Sequence, residues 1–568
     1  MGLSVAGAIA QAVAADGADR AFVFPGGGSN LEVIAALEGV GVHVVLAHSE
    51  TAAVLMASAY ADLIGRPALV LVGLGPGVAS AVNGVAHARL DQSAVVIVSD
   101  TFAAADRGQT GHQVLDQAAL LAPVAKAQAA LEPAGAEETV RWALATAAAP
   151  PRGPVHLELS ADVALAPARS GTGVAASTSA RSGTRVPAST SARSGTRVPA
   201  GNPAPAASRP DAVVPLVAAA HRPVVLVGDE ALSIPQPALV GLVERLAAPV
   251  LVTPKAKGAL PEDHPLWCGI VTNAALEAPL LDRADLLVAV GVDPVELLSK
   301  EWTFGAPVAA LREHDEPVPG YRPRHLVIGD LPAMVHALGS DAGEWTAAEI
   351  ADARAAMLAA VRVGADAGLT ALAAVEEAQA RAPEAATVTV DAGAHMFAAL
   401  WGWRSTRPRR FLISNGLATM GFAVPAAIAA ALAGDALPVV AICGDGGFLL
   451  HGNELETAAR VGARIVVLVL NDSSLGLIRV KQADRGHPRR AVDFGPVDVA
   501  AYARSLGAAG YVAGTRAEVG DAVSRALSDP RPAVVDVRIT GSEYDELQRV
   551  IRVGGAAAAV RGEPACLP

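Results

Sequence analysis

Two uninterrupted apolar runs near the C-terminus, each ending in an acidic turn, constrain this chain more than anything else in it. Val439-Val440-Ala441-Ile442-Cys443 leads straight into Gly444-Asp445-Gly446-Gly447-Phe448. After an amphipathic stretch, Ile465-Val466-Val467-Leu468-Val469-Leu470 closes on Asn471-Asp472. Runs without polar alternation are strands buried on both faces, the situation of a parallel sheet covered by helices. Strand, Asp-bearing turn, helix, strand and second acidic end form a βαβ unit with oxygen ligands at two strand termini. Such a pair suits a hard divalent cation holding a diphosphate, because Mg²⁺ takes few protein carboxylates and keeps phosphate oxygens as partners. The glycines let the backbone approach phosphates closely and offer them N–H groups.

The same alternation runs along most of the 568 residues, too many for a single core. In residues 1–165, strand patterns at Ala21–Phe24, Val42–Ala47, Ala68–Val72 and Ala94–Ser99 are interleaved with helical ones such as Thr51–Ile64. Residues 210–340 repeat the logic with Pro223–Gly228, Pro249–Val252 and Leu286–Gly291, and residues 350–555 hold the two opening runs. The chain is therefore expected to be α/β, with three doubly wound parallel-sheet domains and a tail at 556–568. Residues 168–200 repeat an Ala-Arg-Ser-Gly-Thr unit without large apolar side chains. They cannot offset their own ordering entropy, so 166–209 are expected to be a flexible linker.

Composition narrows the class. Apolar residues at 52% and charged residues at 18% suit deeply buried sheets, and a net charge of -12 argues against nucleic acid as a partner. The longest apolar stretch, 421–434, is short for a membrane span and contains Pro425. The N-terminus lacks a basic secretion-type region, and Cys268, Cys443 and Cys566 have no zinc spacing. A reducing cytoplasm without membrane attachment is the expected setting.

Gly444-Asp445-Gly446 followed by Asn471-Asp472 resembles the thiamine-diphosphate motif of the acetolactate synthase, pyruvate oxidase and benzoylformate decarboxylase family. Ser414-Asn415-Gly416-Leu417-Ala418-Thr419-Met420-Gly421-Phe422 resembles the synthase segment just before that motif. Glu50-Thr51-Ala52-Ala53 through Tyr60-Ala61 to Gly65 resembles the segment around the family's cofactor-activating glutamate. Gly75-Pro76-Gly77, then Asn83-Gly84-Val85-Ala86 and Asp91, matches a further block. The chain is closest in look to an acetolactate synthase large subunit, and the likeness covers nearly everything outside 168–209.

That resemblance implies a pyrimidine-binding, a central and a diphosphate-binding domain, with thiamine diphosphate and Mg²⁺ as cofactors. Glu50 would bond the aminopyrimidine nitrogen N1′ and favour the imino tautomer that deprotonates the thiazolium carbon. Asp445 and Asp472 through their side chains, and Ser474 through its carbonyl, would hold Mg²⁺, with Gly444, Gly446 and Gly447 against the diphosphate. Met420 would prop the cofactor in a bent shape, a task that suits a flexible thioether. Gly393 would offer its carbonyl to the 4′-amino group, and His395 is either a phosphate donor or a residue that merely starts a helix. A 2-oxo acid substrate and a homodimer or homotetramer, with active sites between subunits, are implied as well.

The sequence also departs from the family pattern. Asp472 stands where Asn is commonest, adding a charge. His112-Gln113 mixes the Phe-Gln of synthases with the His pair of simple decarboxylases; either they relay a proton and orient the substrate carboxylate, or they are polar loop residues. Lys481 replaces the tryptophan of biosynthetic synthases, which suggests a polar or anionic acceptor unless the ammonium only reaches for solvent. Thr272–Ala275 and Gly291–Glu296 lack the features of flavin binding and speak against FAD. The Pro25–Asn30 turn has no Walker lysine and is expected near the active site. Decarboxylation with carboligation is the leading expectation. A simple 2-oxo-acid decarboxylase and a non-catalytic cofactor-binding homologue are the alternatives, and no convincingly placed Gly-x-Gly-x-x-Gly supports a dinucleotide oxidoreductase.

Overall fold

The computed structural model of the protein describes residues 3–103, 105–106, 109, 111–171, 212–315, 320–339, 343–364, 368–434 and 437–553. Its first unit, residues 1–204, is built on strands β1 (Arg20–Phe24), β2 (His43–Leu46), β3 (Ala68–Val72), β4 (Val95–Thr101), β5 (Ala127–Ala130) and β6 (Val155–Ser160). They form one parallel sheet in the order β2-β1-β3-β4-β6-β5. Every residue of β3 is buried, as its unbroken Ala-Leu-Val-Leu-Val run requires. Helices from Val5–Ala15, Ser29–Gly39 and Ala136–Ala148 contribute to the core on this sheet.

Residues 205–568 form the second unit and contain two further six-stranded sheets. One is made of β7 (Pro223–Val227), β8 (Val250–Val252), β9 (Trp267–Ile270), β10 (Leu286–Val290), β11 (Val308–Arg312) and β12 (His325–Ile328). Its order is β12-β11-β10-β7-β8-β9, all parallel. The other consists of β13 (Thr387–Val390), β14 (Phe411–Ile413), β15 (Val439–Gly444), β16 (Ile465–Asn471), β17 (Ala509–Ala513) and β18 (Ala533–Arg538). It runs β14-β13-β15-β16-β18-β17, again parallel throughout. The three doubly wound sheets expected from the apolar runs are present.

A shared core joins the two sheets of the second unit, with Trp345, Met357 and Val375 among its buried members. Within it Lys257 is wholly buried, paired with Glu262 at 2.6 Å and donating to the Leu400 carbonyl at 2.8 Å. A buried charge of this kind persists only when paired. Composition assigned 166–209 to the linker, but Pro167 bridges Ser4 and Arg169 bridges Ala134, so its first residues belong to the first unit. Residues 172–211, which include most of the 168–200 repeat, and residues 554–568, which include the tail at 556–568, lie outside the described residues. Among the described residues no helix is long and apolar enough to cross a membrane.

The last sheet explains why the two acidic turns meet. β15 and β16 are neighbours in register, with Gly444 opposite Leu470, so the residues that follow the two strands emerge side by side. In this order the sheet's direction of winding reverses between β13 and β15, and ligands of open α/β sheets gather in the crevice beyond such a point.

Candidate active site

In the first unit, Glu50 opens the helix Glu50–Ile64, whose cap is Ser49 accepting from the Ala52 N–H at 3.1 Å. This helix packs on the helix Pro76–Leu90, and Gly84 makes that possible: a Cβ there would sit 2.6 Å from Val54 Cβ. The glycine of the Asn83-Gly84 block is thus a close-approach residue. A Cβ on Gly77 would lie 3.2 Å from Glu50 Oε1, so the start of the second helix faces the half-buried carboxylate. Gly75, at φ +56°, has Gln113 against it; a Cβ would come within 2.5 Å of the Gln113 carbonyl. Gln113 is itself left-handed at φ +58°, a conformation rare outside glycine. Glu50, the Gly75–Gly77 turn and Gln113 therefore converge, while His112 and Gln113 have exposed side chains.

Asp100 and Gln117 went unnoticed in the sequence. The buried Asp100 carboxylate accepts from the Gly28 N–H (3.2 Å), the Asn30 N–H (2.8 Å) and the Ser29 hydroxyl (2.5 Å). It fixes the Pro25–Asn30 turn beside Gly73, at the same carboxyl edge of the sheet as Gly75. Gln117 accepts from the Gly75 N–H at 2.8 Å and donates to the Asp100 carbonyl at 3.0 Å, tying the two turns together.

In the second unit the remaining residues gather around the ends of β13, β15 and β16. Asp445 begins a helix, Asp445–His451, and Asp472 lies one residue beyond β16. The Ser474 N–H faces both carboxyls. Burial and the Asp472 charge push Asp445 up to about 7, and burial pushes Asp472 up to about 6. Two carboxyls that resist ionising together are a donor set in want of a cation. The turn that carries Ser474 is rigid: Asn471 Oδ1 accepts from the Ser473 N–H at 3.1 Å, and Ser473 is left-handed at φ +54°. Arg479 stands 3.8 Å from Asp472 and donates to the Gly541 carbonyl at 2.6 Å. That cation offsets the extra charge Asp472 brings.

His395 is buried with its ring against Gly393 and Gly444; a Cβ on Gly393 would meet the ring at 2.6 Å. Burial drives its imidazole down to about 4, against the upward pull of a hydrogen bond with the Asp391 backbone. His395 Nε2 and Asp472 Oδ2 are buried without a hydrogen-bond partner, which is costly unless something is to be bound there. Met420 reaches Gly446, where a Cβ would lie 3.3 Å from its methyl group. Unmade polar contacts, paired acids and a glycine floor beside a thioether fit a diphosphate with a divalent cation. Among the described residues no cluster of three or more His, Cys, Asp or Glu could hold a metal. Two carboxylates plus phosphate oxygens is the ordinary Mg²⁺ arrangement.

Comparison with known proteins agrees. Residues 3–120, 211–316 and 391–537 match, in turn, the N-terminal TPP binding, central and C-terminal TPP binding domains of the thiamine pyrophosphate enzymes. A probable 2-ketoarginine decarboxylase of Pseudomonas aeruginosa is 31% identical over 503 residues, covering 84% of this chain and 83% of its own. The chain belongs to the thiamine-diphosphate enzymes of the acetolactate synthase type. An acetolactate synthase of Bacillus subtilis is 29% identical over 535 residues, covering 90% and 89% of the two chains. A catabolic acetolactate synthase of Raoultella terrigena is 29% identical over 560 residues, covering 94% of each.

Within this thiamine-diphosphate enzyme, one further residue was missed. Asp391, fully buried after β13, accepts from the N–H groups of Gly421 (2.9 Å), Phe422 (2.9 Å) and Ala392 (3.1 Å). A Cβ on Gly447 would overlap its carboxylate. Asp391 thus clamps the Gly393 turn, the Met420 turn and the Gly444–Gly447 turn to one point. Its only sequence signal is an acid directly after a buried strand.

Proposed function

We propose that the protein decarboxylates a 2-oxo acid with thiamine diphosphate and Mg²⁺ and transfers the remaining fragment to a second carbonyl compound. The observation that carries this reading is the convergence of Asp445 and Asp472 on the Ser474 amide, beside the His395 Nε2, which lacks a partner, and the glycine-rich turn. When bound, thiamine diphosphate supplies the nucleophilic carbon and electron sink of the reaction. The chain supplies position and protons. Asp445, Asp472 and the Ser474 carbonyl would hold the cation, and His395, once protonated beside the anionic diphosphate, would donate from Nε2 to a phosphate oxygen. Met420 would fix the cofactor's bend and the Gly393 carbonyl would accept from its amino group. Glu50 would share a proton with the pyrimidine N1′, and Gln113 and His112 would orient the substrate carboxylate and relay a proton. The test is product analysis with pyruvate: acetolactate with carbon dioxide supports carboligation, whereas carbon dioxide with acetaldehyde alone would overturn it.

Simple decarboxylation is the second reading, favoured by His112 and by the name of the Pseudomonas relative. Lys481 bears on the substrate. It lies in the helix Gly476–Asp484, and burial, then Arg552 and Arg485, hold its ammonium below the usual lysine range. Lys481, Arg485 and Arg552, with Asp484 as the acid beside Arg552, leave a net positive group that disfavours a guanidinium-bearing substrate and suits an anionic one. Lys481→Ala is expected to raise KM for an acceptor with a second carboxylate about tenfold with kcat little changed. An unchanged KM would remove Lys481 from substrate choice.

The cation has its own test. Dialysis against EDTA is expected to release thiamine diphosphate, and Mg²⁺ to restore its binding, followed by calorimetric titration; cofactor held equally well without divalent metal would contradict the role of Asp445 and Asp472. A homodimer or homotetramer with active sites shared between copies is part of the proposal. Mixing two inactive variants, Glu50→Gln and Asp445→Ala, should then regenerate part of the activity after subunit exchange.

A further inference from the structure

The central sheet differs from the other two. Its order, β12-β11-β10-β7-β8-β9, is that of dinucleotide-binding sheets, which seat phosphates on backbone N–H groups where the winding reverses. Here that point lies between β7, followed by Gly228-Asp229-Glu230, and β10, followed by Gly291-Val292-Asp293. The crevice is closed by the chain's own atoms. Gly228 is pressed onto Gly291 and Val292, and Gly291 onto Ala231, so closely that a Cβ on either glycine would overlap backbone.

Two carboxylates take the donors. Glu296 accepts from the Asp229 N–H (3.3 Å), the Lys255 N–H (3.0 Å) and the Thr253 hydroxyl (2.9 Å). Glu230 accepts from the Glu313 N–H (2.8 Å) and from Nε and Nη2 of Arg312 (3.0 and 2.7 Å). One backbone N–H after each of β7, β8 and β11, those of Asp229, Lys255 and Glu313, is therefore committed to an internal acid, while the N–H groups of Gly228, Glu230 and Thr253 go to backbone carbonyls. Glu230 is 6% exposed and Glu296 5%. Asp229, 3.2 Å from Lys255, and Asp293, 3.9 Å from Arg312, add negative charge beside them.

We propose that the carboxyl groups of Glu230 and Glu296 are the resident acceptors of this crevice, holding donors that a dinucleotide's phosphates would need. The central domain is then complete without a flavin or an adenine nucleotide. A diphosphate would have to expel two packed glutamates and face Asp229 and Asp293 besides.

The full-length protein, loaded with thiamine diphosphate and Mg²⁺, is titrated with FAD and separately with ADP to millimolar concentration. No binding heat, no change in Tm and no flavin absorbance in the purified protein are expected; micromolar binding of either nucleotide would overturn the proposal. Glu230→Ala should lower Tm by roughly 5–15 °C, since it removes the carboxyl group that Arg312 and the Glu313 amide share. Formate should recover part of that loss where chloride at equal ionic strength does not. A Tm indifferent to both the substitution and formate would refute the role of Glu230. Should the variant not fold, the titration of the unaltered protein decides alone. Binding and melting are read here, so the outcome is independent of which reaction the enzyme performs.

Discussion

Glu50→Gln should reduce turnover by roughly 10²–10⁴-fold, the range for loss of a positioned acid or base, while thiamine diphosphate still binds. Glutamine has the same shape and can stay at the start of its helix, where Ser49 and not Glu50 provides the cap. The contact with Gly77 is preserved. What disappears is the capacity to give and take a proton at one atom. Kinetics of 2-oxo acid consumption, with cofactor affinity measured in parallel, separate the two effects. Near-normal turnover would remove Glu50 from the chemistry, and loss of cofactor binding with turnover would make it a structural residue.

The next largest effect is expected at Asp391. Asp391→Ala leaves three buried N–H donors without an acceptor, at about 1–3 kcal/mol each before any relaxation. A net loss of about 3–5 kcal/mol in urea unfolding is the expected result, together with weaker cofactor binding, because the Met420 turn is released. Asp391→Asn is the sharper experiment. Burial pushes this carboxyl up to about 7, while the amides of Gly421, Phe422 and Ala392 pull it down. If the ionised form accepts all three, an amide side chain must turn an N–H toward donors and the variant is destabilised. An asparagine variant as stable and as tight for cofactor as the parent would show that a neutral acceptor suffices.

The strands and the acidic turns were readable in the chain because burial on both faces writes itself as an unbroken apolar run. The Gly444–Phe448 turn and Asp472 were readable because their spacing is local. Asp391 was not: its partners are Gly421 and Phe422, about thirty residues on, and nothing in a one-dimensional pattern marks an acceptor for distant backbone. Asp100 is the same case, with Gly28 and Asn30 some seventy residues away. The Glu230–Arg312 pair escaped for a different reason. Strand order in the central sheet decides which strand ends share a crevice, and order depends on crossovers that periodicity does not encode.

Among the described residues all eighteen strands pair in parallel, so none of these three sheets contains a hairpin that could form first and template the rest. Each pairing has to wait for a crossover, and loop closure must be met before any contact repays it. Yet each sheet is drawn from one contiguous stretch of chain, with no strand borrowed from another. During synthesis the first sheet can therefore close once its last strand, Val155–Ser160, has emerged, while the segment carrying Asp445 is still unmade. Refolding of the full chain from denaturant lacks that sequence of events and should be the more prone to aggregation.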